Sequence, residues 1–346
     1  MVTRLAICLL AFIVLSVIYA SQTFQTTSVD QSALVPLSTE GNRILNSRTG
    51  EPVLLRGVVS DYFRYGANWD YPARHGGLEA ELERLQKLKD AGAKINMVGL
   101  YLSDLTKIKA NIEEMDRYIQ YAGDNGIYVY LAPVGHHFIE TGISPADGGE
   151  INPQDVWDSL GSNDLAELTE LIASRYGNYP NVIYQLAAEP DIGEHAWEDK
   201  QRELSEIVRR YSDNLIMAST PYYSPYLSLP ALASANIIYS TGGYVRKNDK
   251  TPPEREINAI QGEERLKANY PVIVVEFGGN YGGNFSSPED LELFQDILAA
   301  INEGNMSYSV YRLSAAFKGD GLALYNTLGE LTAKGKIFVE SFHAGN

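Results

Sequence analysis

Pro271-Val-Ile-Val-Val-Glu-Phe-Gly-Gly279 is an apolar run that stops on one carboxylate and then on glycines. Val182-Ile-Tyr-Gln-Leu-Ala-Ala-Glu-Pro190 is built the same way, with proline as the stop. Short runs that are apolar at nearly every position suit strands covered on both faces, as in a parallel sheet clad with helices. Six further runs share this character: 54–60, 95–102, 128–134, 215–219, 237–240 and 308–313. With 182–188 and 272–276 they make eight predicted strands.

Helical patterns lie between most of them. Leu78, Leu82, Leu85 and Leu88 fall on one helical face, and 112–122, 165–176, 200–211 and 291–301 behave similarly. Ser287-Pro-Glu-Asp290 opens the last with a cap residue, a proline at the first helical position and early acids. Gly92, Gly126, Gly177 and Gly304 are the stops. Eight strands alternating with helices predict a (β/α)₈ TIM barrel. An open doubly wound sheet is the alternative, and the missing glycine-rich phosphate loop after the first strand argues against it. Ahead of the barrel a short hairpin is predicted, pairing 43–46 with 52–55 around a turn at 47–51.

The remainder of the chain bounds the setting. Arg4 precedes the apolar run Leu5–Ala20, which predicts a signal peptide or membrane anchor over residues 1–20, with cleavage after Ala20 preferred. Residues 21–34 are rich in Ser, Thr and Gln and read as a polar linker, so the barrel domain is assigned to 35–346. The expected location is therefore extracellular or at the cell surface, with a possible membrane tether through the N-terminal segment. The sole cysteine, Cys8, lies inside the apolar run, so the exported part is expected to rely on its core alone. Two glycosylation sequons, at Asn284 and Asn305, matter only in a host that glycosylates. A formal charge of −16 argues against nucleic acid as a partner and says little about a neutral polymer. A monomer is expected.

Catalytic residues of a TIM barrel sit at the carboxyl ends of strands. Glu189 ends the fourth predicted strand and Glu276 the seventh, from opposite sides of the mouth. Two carboxyl groups roughly 5–5.5 Å apart are what glycoside cleavage with retention needs, one protonated and one ionised. Two carboxylates that close repel, so one pKa rises.

Ordered segments carry a family likeness: Gly41-Asn-Arg-Ile-Leu-Asn46, Gly50-Glu-Pro-Val-Leu-Leu-Arg-Gly57, Ala91-Gly92, Asn125-Gly-Ile-Tyr-Val129, Ala173-Ser-Arg-Tyr176, and the two glutamate runs. Over about residues 40–342 the chain resembles glycoside hydrolase family 5, the cellulase-like family. The resemblance implies a retaining hydrolase of β-linked oligo- or polysaccharide, with Glu189 as general acid/base, Glu276 as nucleophile, and no cofactor or metal. It also implies that Tyr244 bonds the nucleophile and that one of His136 and His137, His136 by preference, contacts sugar. There are departures. Ala188 stands where the family has Asn, Gly99 where it has Arg, and Gly242-Gly243 where it has His. Tyr311 or Arg312 stands near the family Trp, and Arg312 is a candidate replacement for the missing cation. These departures motivate a second reading, a non-catalytic carbohydrate-binding protein on the same barrel; a transglycosylase is a third. Trp69, Tyr222, Trp197 and their aromatic neighbours Tyr62, Phe63, Tyr65, Tyr71, Trp157, Tyr223 and Tyr226 follow strands, and as a group predict a sugar cleft.

Overall fold

The computed structural model describes residues 34–65, 76–102, 105–133, 162–188, 194–219, 232, 234–246, 270–281, 287–315 and 320–343. A two-stranded antiparallel sheet, β1 (Leu37–Glu40) and β2 (Arg43–Asn46), precedes a closed barrel. The barrel strands are β3 (Arg56–Ser60), β4 (Met97–Leu102), β5 (Tyr128–Pro133), β6 (Val182–Gln185), β7 (Ile216–Ser219), β8 (Ile237–Arg246), β9 (Val272–Tyr281) and β10 (Ser307–Val310). Each pairs parallel to its sequence neighbour, and β10 closes on β3. The TIM barrel predicted from the apolar runs is therefore the fold.

Helices alternate with these strands: α1 (Tyr62–Tyr65), α2 (Gly77–Asp90), α3 (Leu105–Ala110), α4 (Ile112–Asp124), α5 (Ser162–Tyr176), α6 (Glu194–Arg209), α7 (Pro288–Glu303) and α8 (Ala333–Ser341). Ser287 caps α7 as its sequence predicts, accepting the Asp290 N–H at 3.2 Å.

Strand parity divides the apolar residues into two layers. Val58, Val98, Leu100, Val129, Leu131, Val182, Ile216 and Val274 point outward and pack under the helices. Val59, Met97, Tyr128, Tyr130, Ile183, Met217, Ile238 and Ile273 fill the barrel. A Cβ added at Gly99 would stand 2.0 Å from the ring of Tyr130, so a glycine is what lets that ring cross the interior.

Two predicted boundaries are corrected. The hairpin partner of 43–46 is 37–40, not 52–55, with Gly41 in the left-handed region at φ +57; the 52–55 arm contributes a single bridge, Leu45 to Pro52. Leu37 and Ile44 of this hairpin join the interior cluster, the Tyr128 hydroxyl donates to the Val35 carbonyl at 2.9 Å, and the Thr39 N–H donates to Asn236 at 3.1 Å. The hairpin thereby closes the amino-terminal end of the barrel. The second correction is at β8 and β9. They do not stop at Ser240 and Glu276 but run on together to Arg246 and Tyr281 through two register shifts. The glycines read as stops are accommodated inside a bulged, extended pair.

Candidate active site

The carboxyl ends of the strands carry the charged groups of the interior. Along β9, Val274 faces the helices and Val275 the interior, so simple alternation would turn Glu276 outward again. It does not turn outward, because the pairing slips: Ser309 faces Val275, but the next residue, Val310, faces Phe277. Glu276 is the extra residue of this bulge and takes φ +57, a left-handed conformation uncommon for a non-glycine. Phe277 then resumes the outward role, against Phe294 of α7. The bulge is the device that aims one carboxylate at the mouth.

Glu276 is buried, and its Oε1 accepts the hydroxyl proton of Tyr101, which belongs to the inward row Met97, Gly99, Tyr101 of β4. Burial pushes the Glu276 carboxyl up to about 8; the Arg64 guanidinium pulls it down, and Asp61 pushes it further up.

A charged network adjoins it. Asp61 directly follows β3. Its Oδ2 accepts the Tyr311 hydroxyl at 2.6 Å and Nη1 of Arg312 at 2.6 Å. The other side of the Arg312 guanidinium holds Asp320, with Nε 2.9 Å from Oδ2. Arg64, in α1, donates to the Tyr311 hydroxyl at 3.3 Å and lies 3.8 Å from Asp61 Oδ1. The Tyr311 ring sits 6.1 Å from that of Tyr101. The Tyr311–Arg312 peptide is cis. Behind β9, the buried Lys334 of α8 donates to the Gly278 carbonyl and pairs with Asp290 at 3.0 Å.

The sequence-predicted residues distribute as follows. Glu276, Tyr311 and Arg312 meet in this region. Arg312 is engaged by Asp61 and Asp320, and among the described residues the Arg64 guanidinium is a cation that acts on the Glu276 carboxyl. Tyr244 lies in β8 between the Gly243–Phe277 and Val245–Asn280 pairs, level with the segment that follows Glu276. Glu189, His136, His137, Trp69 and Tyr222 lie outside the described residues, as do Tyr71, Trp157, Tyr223 and Tyr226. The chain just before Glu189 is described: the Ala188 N–H donates to the Pro133 carbonyl at 2.8 Å, and Ala188 packs with the interior cluster.

Three aromatics read as cleft-lining are instead packed away. Trp197, in α6, is 1% exposed, and its indole N–H donates to the Ser219 carbonyl at 2.8 Å. Tyr62 and Phe63 are buried too, Tyr62 bonding Glu114 at 2.9 Å and Phe63 meeting Tyr118 edge-on. They sit on short or early helical turns, where a ring can fold back onto the barrel, and the sequence reading treats these turns as open loop. Asp61, Arg64 and Tyr101 were not singled out from sequence. Asp61 carried a usable signal, an acid directly after an apolar strand, the same pattern that marks the two glutamates.

Among the described residues no group of His, Cys, Asp and Glu is arranged to hold a metal ion, and no helix is long and apolar enough to cross a membrane. The apolar run at residues 5–20 lies outside them.

Comparison with known proteins meets the geometry at this point. Endoglucanase C of Evansella cellulosilytica is 26% identical over 321 residues, covering 82% of this chain; the chain spans only 36% of that protein's length. The hyperthermophilic endocellulase of Pyrococcus horikoshii superposes with a TM-score of 0.66 at 17% identity, over 90% of this chain and 99% of that one. The native β-glucanase of Saccharophagus degradans gives 0.68 at 16% identity, over 91% and 95%. The Thermobifida fusca endoglucanase Cel5A in complex with cellotetraose gives 0.64 at 16%, over 89% and 97%. These structures share the fold. The family model for cellulase, glycosyl hydrolase family 5, matches residues 72–317, most of the barrel and the whole β9 bulge. An eight-stranded barrel with a carboxylate bulged into its mouth, matched by that model over well more than half its length, belongs to glycosyl hydrolase family 5.

Proposed function

We propose that this chain is a retaining endo-β-glycanase acting on a β-linked glucan. Glu276 acts as nucleophile and Glu189 as general acid/base. The observation that carries the reading is the β9 bulge, which turns a buried, Tyr101-bonded carboxyl group toward the barrel mouth. The endoglucanase, β-glucanase and endocellulase names of the relatives support the substrate class.

In the first step the Glu276 carboxylate attacks the anomeric carbon. Glu189 gives its proton to the departing glycosidic oxygen, and the bond to that oxygen breaks. In the second, Glu189, now a carboxylate, takes a proton from water. The resulting hydroxide attacks the same carbon and releases Glu276. Two inversions give net retention, and carboxyl groups supply both the nucleophile and the proton transfers, so the chemistry requires no cofactor.

The nucleophile must be ionised to attack. A carboxyl group raised to about 8 is mostly protonated at neutral pH, so kcat/KM is expected to rise with pH as Glu276 ionises. Tyr101 favours the charged form by donating its hydroxyl proton to it. Export through residues 1–20 belongs to the same proposal; N-terminal sequencing of secreted protein should find a start just after Ala20.

The test is single Glu276→Gln and Glu189→Ala variants assayed on β-glucans, mannans, xylans and aryl β-glycosides. Wild type should cleave a β-glucan at internal bonds and both variants should lose most activity. If wild type cleaves none of the panel, or both variants keep full activity, the proposal fails. Glycan binding with no turnover would favour the non-catalytic reading.

A further inference from the structure

A buried carboxyl group that must lose its proton needs a compensating cation, and the charges facing Glu276 can be traced element by element. The end of β3 brings Asp61, and α1 brings Arg64. From β4 comes the Tyr101 hydroxyl, and from β5 the Tyr130 hydroxyl, which is bonded to Ser309 at 3.0 Å. The segment after β10 brings Tyr311, Arg312 and Asp320. Behind β9, Lys334 pairs with Asp290 at 3.0 Å and also feels the charge of Asp320, while α2 brings the buried Glu81, which pairs with Arg84 and feels Asp61. The side chains of Tyr244 and Glu189 lie outside the described ones.

Arg312 holds Asp61 on one side and Asp320 on the other. That triad of one cation and two anions carries a net charge of −1, which opposes ionisation of any carboxyl group beside it. Arg64 restores neutrality. Its Nη1 is held 3.3 Å from the Tyr311 hydroxyl and 3.8 Å from Asp61 Oδ1, and the Tyr311 ring lies 6.1 Å from that of Tyr101. Tyr101 in turn bonds Glu276.

We infer that Arg64 is the positioning residue that makes Glu276 ionisable, by neutralising the Asp61–Arg312–Asp320 triad at the barrel mouth. It acts through charge and through its hold on Tyr311, without touching substrate. Gly99 leaves β4 with no side chain that could bring a cation into the same space, which the Tyr130 ring fills. The inference rests on the catalytic role proposed for Glu276, but its test does not depend on turnover.

The test is a carbon NMR titration of the side-chain carboxyl groups in the full chain labelled with ¹³C-glutamate. The Glu276 signal is assigned by its loss in Glu276→Gln. Arg64→Met should raise the Glu276 pKa by about 1 pH unit, the low end of what an opposite charge at close range produces. Arg64→Lys, which keeps the charge, should return it most of the way. Where the enzyme turns over a β-glucan, the acidic limb of kcat/KM should move with the titration. An unchanged Glu276 titration in folded Arg64→Met overturns the inference, even in an active enzyme. If wild type cleaves no glycan, the proposed function falls while the titration still decides the role of Arg64. Should Arg64→Met not fold, Arg64→Gln retains a donor for Tyr311 and carries the same expectation.

Discussion

The two ends of the barrel solve opposite problems with the same strands. At the amino-terminal end, the β1–β2 hairpin lays Leu37 and Ile44 over an interior of Leu55, Ile183, Leu215 and Ile273. At the carboxyl end, Asp61 and Arg312 just past their strands, Glu276 on the β9 bulge and Asp320 in the segment after β10 are all buried. The floor gains stability from removing apolar surface from water. The rim accepts the cost of burying charge and offsets it with pairing. Stability and reactivity are thus separated along one axis, as the barrel architecture permits.

This contrast can be broken most severely at Glu276. Replacing it with Gln should lower kcat by at least about 10⁴-fold, more than about 5 kcal/mol of barrier, measured on the best β-glucan. The same variant should be more stable than wild type. The folded-state pKa is raised from 4.5 to about 8, so the native protein binds a proton that the unfolded chain releases between those values. The ionisation penalty is absent below pH 4.5, grows as pH rises, and is complete above about 8. A melting series should show Glu276→Gln gaining on the order of 4 kcal/mol over wild type at pH 8 and little at pH 4. Equal stability at both pH values would contradict the burial of an ionisable group there.

Arg312 comes next. Arg312→Met removes the guanidinium that bonds two buried carboxylates, Asp61 and Asp320, and chemical denaturation should show a loss of about 3–5 kcal/mol. At the floor, Ile44→Ala should cost about 3 kcal/mol by opening a cavity under the hairpin, with kcat on a β-glucan within about twofold of wild type. A floor substitution that abolished turnover while the protein stayed folded would dissolve the separation. The smallest effect is expected far from both ends. Arg175 donates its Nε to Asp116 at 2.7 Å on the exposed helical layer, and Arg175→Ala should cost less than about 1 kcal/mol, diminishing with salt.

The floor and the strands were more legible in the sequence than the rim, for a physical reason. Strands covered on both faces write themselves as runs such as Ile95–Leu102, and their alternation with helices like 291–301 identifies the barrel. The capping of α7 by Ser287 is likewise local and readable. The rim depends on contacts between residues far apart in the chain: Asp61 and Arg312 are separated by 251 positions. Glu276 was identifiable because an acid ends an apolar run, yet the bulge that aims it is a pairing slip with β8 and β10, which one strand cannot reveal. Gly278 and Gly279 look like terminators in isolation and prove to lie inside a longer, register-shifted pair. Trp197 looked like a cleft aromatic because the start of α6 was placed too late, at Lys200 instead of Glu194.

The bond between sugar and protein is the central claim, and it can be caught directly. Incubation with an activated 2-deoxy-2-fluoro-β-cellobioside should form the glycosyl-enzyme and slow its hydrolysis enough for peptide mass mapping. The reading predicts one added fluorosugar on the peptide containing Glu276, with activity falling in step, and no adduct in Glu276→Gln. A label on any other carboxylate, or inactivation that leaves the Glu276 peptide unmodified, would contradict it.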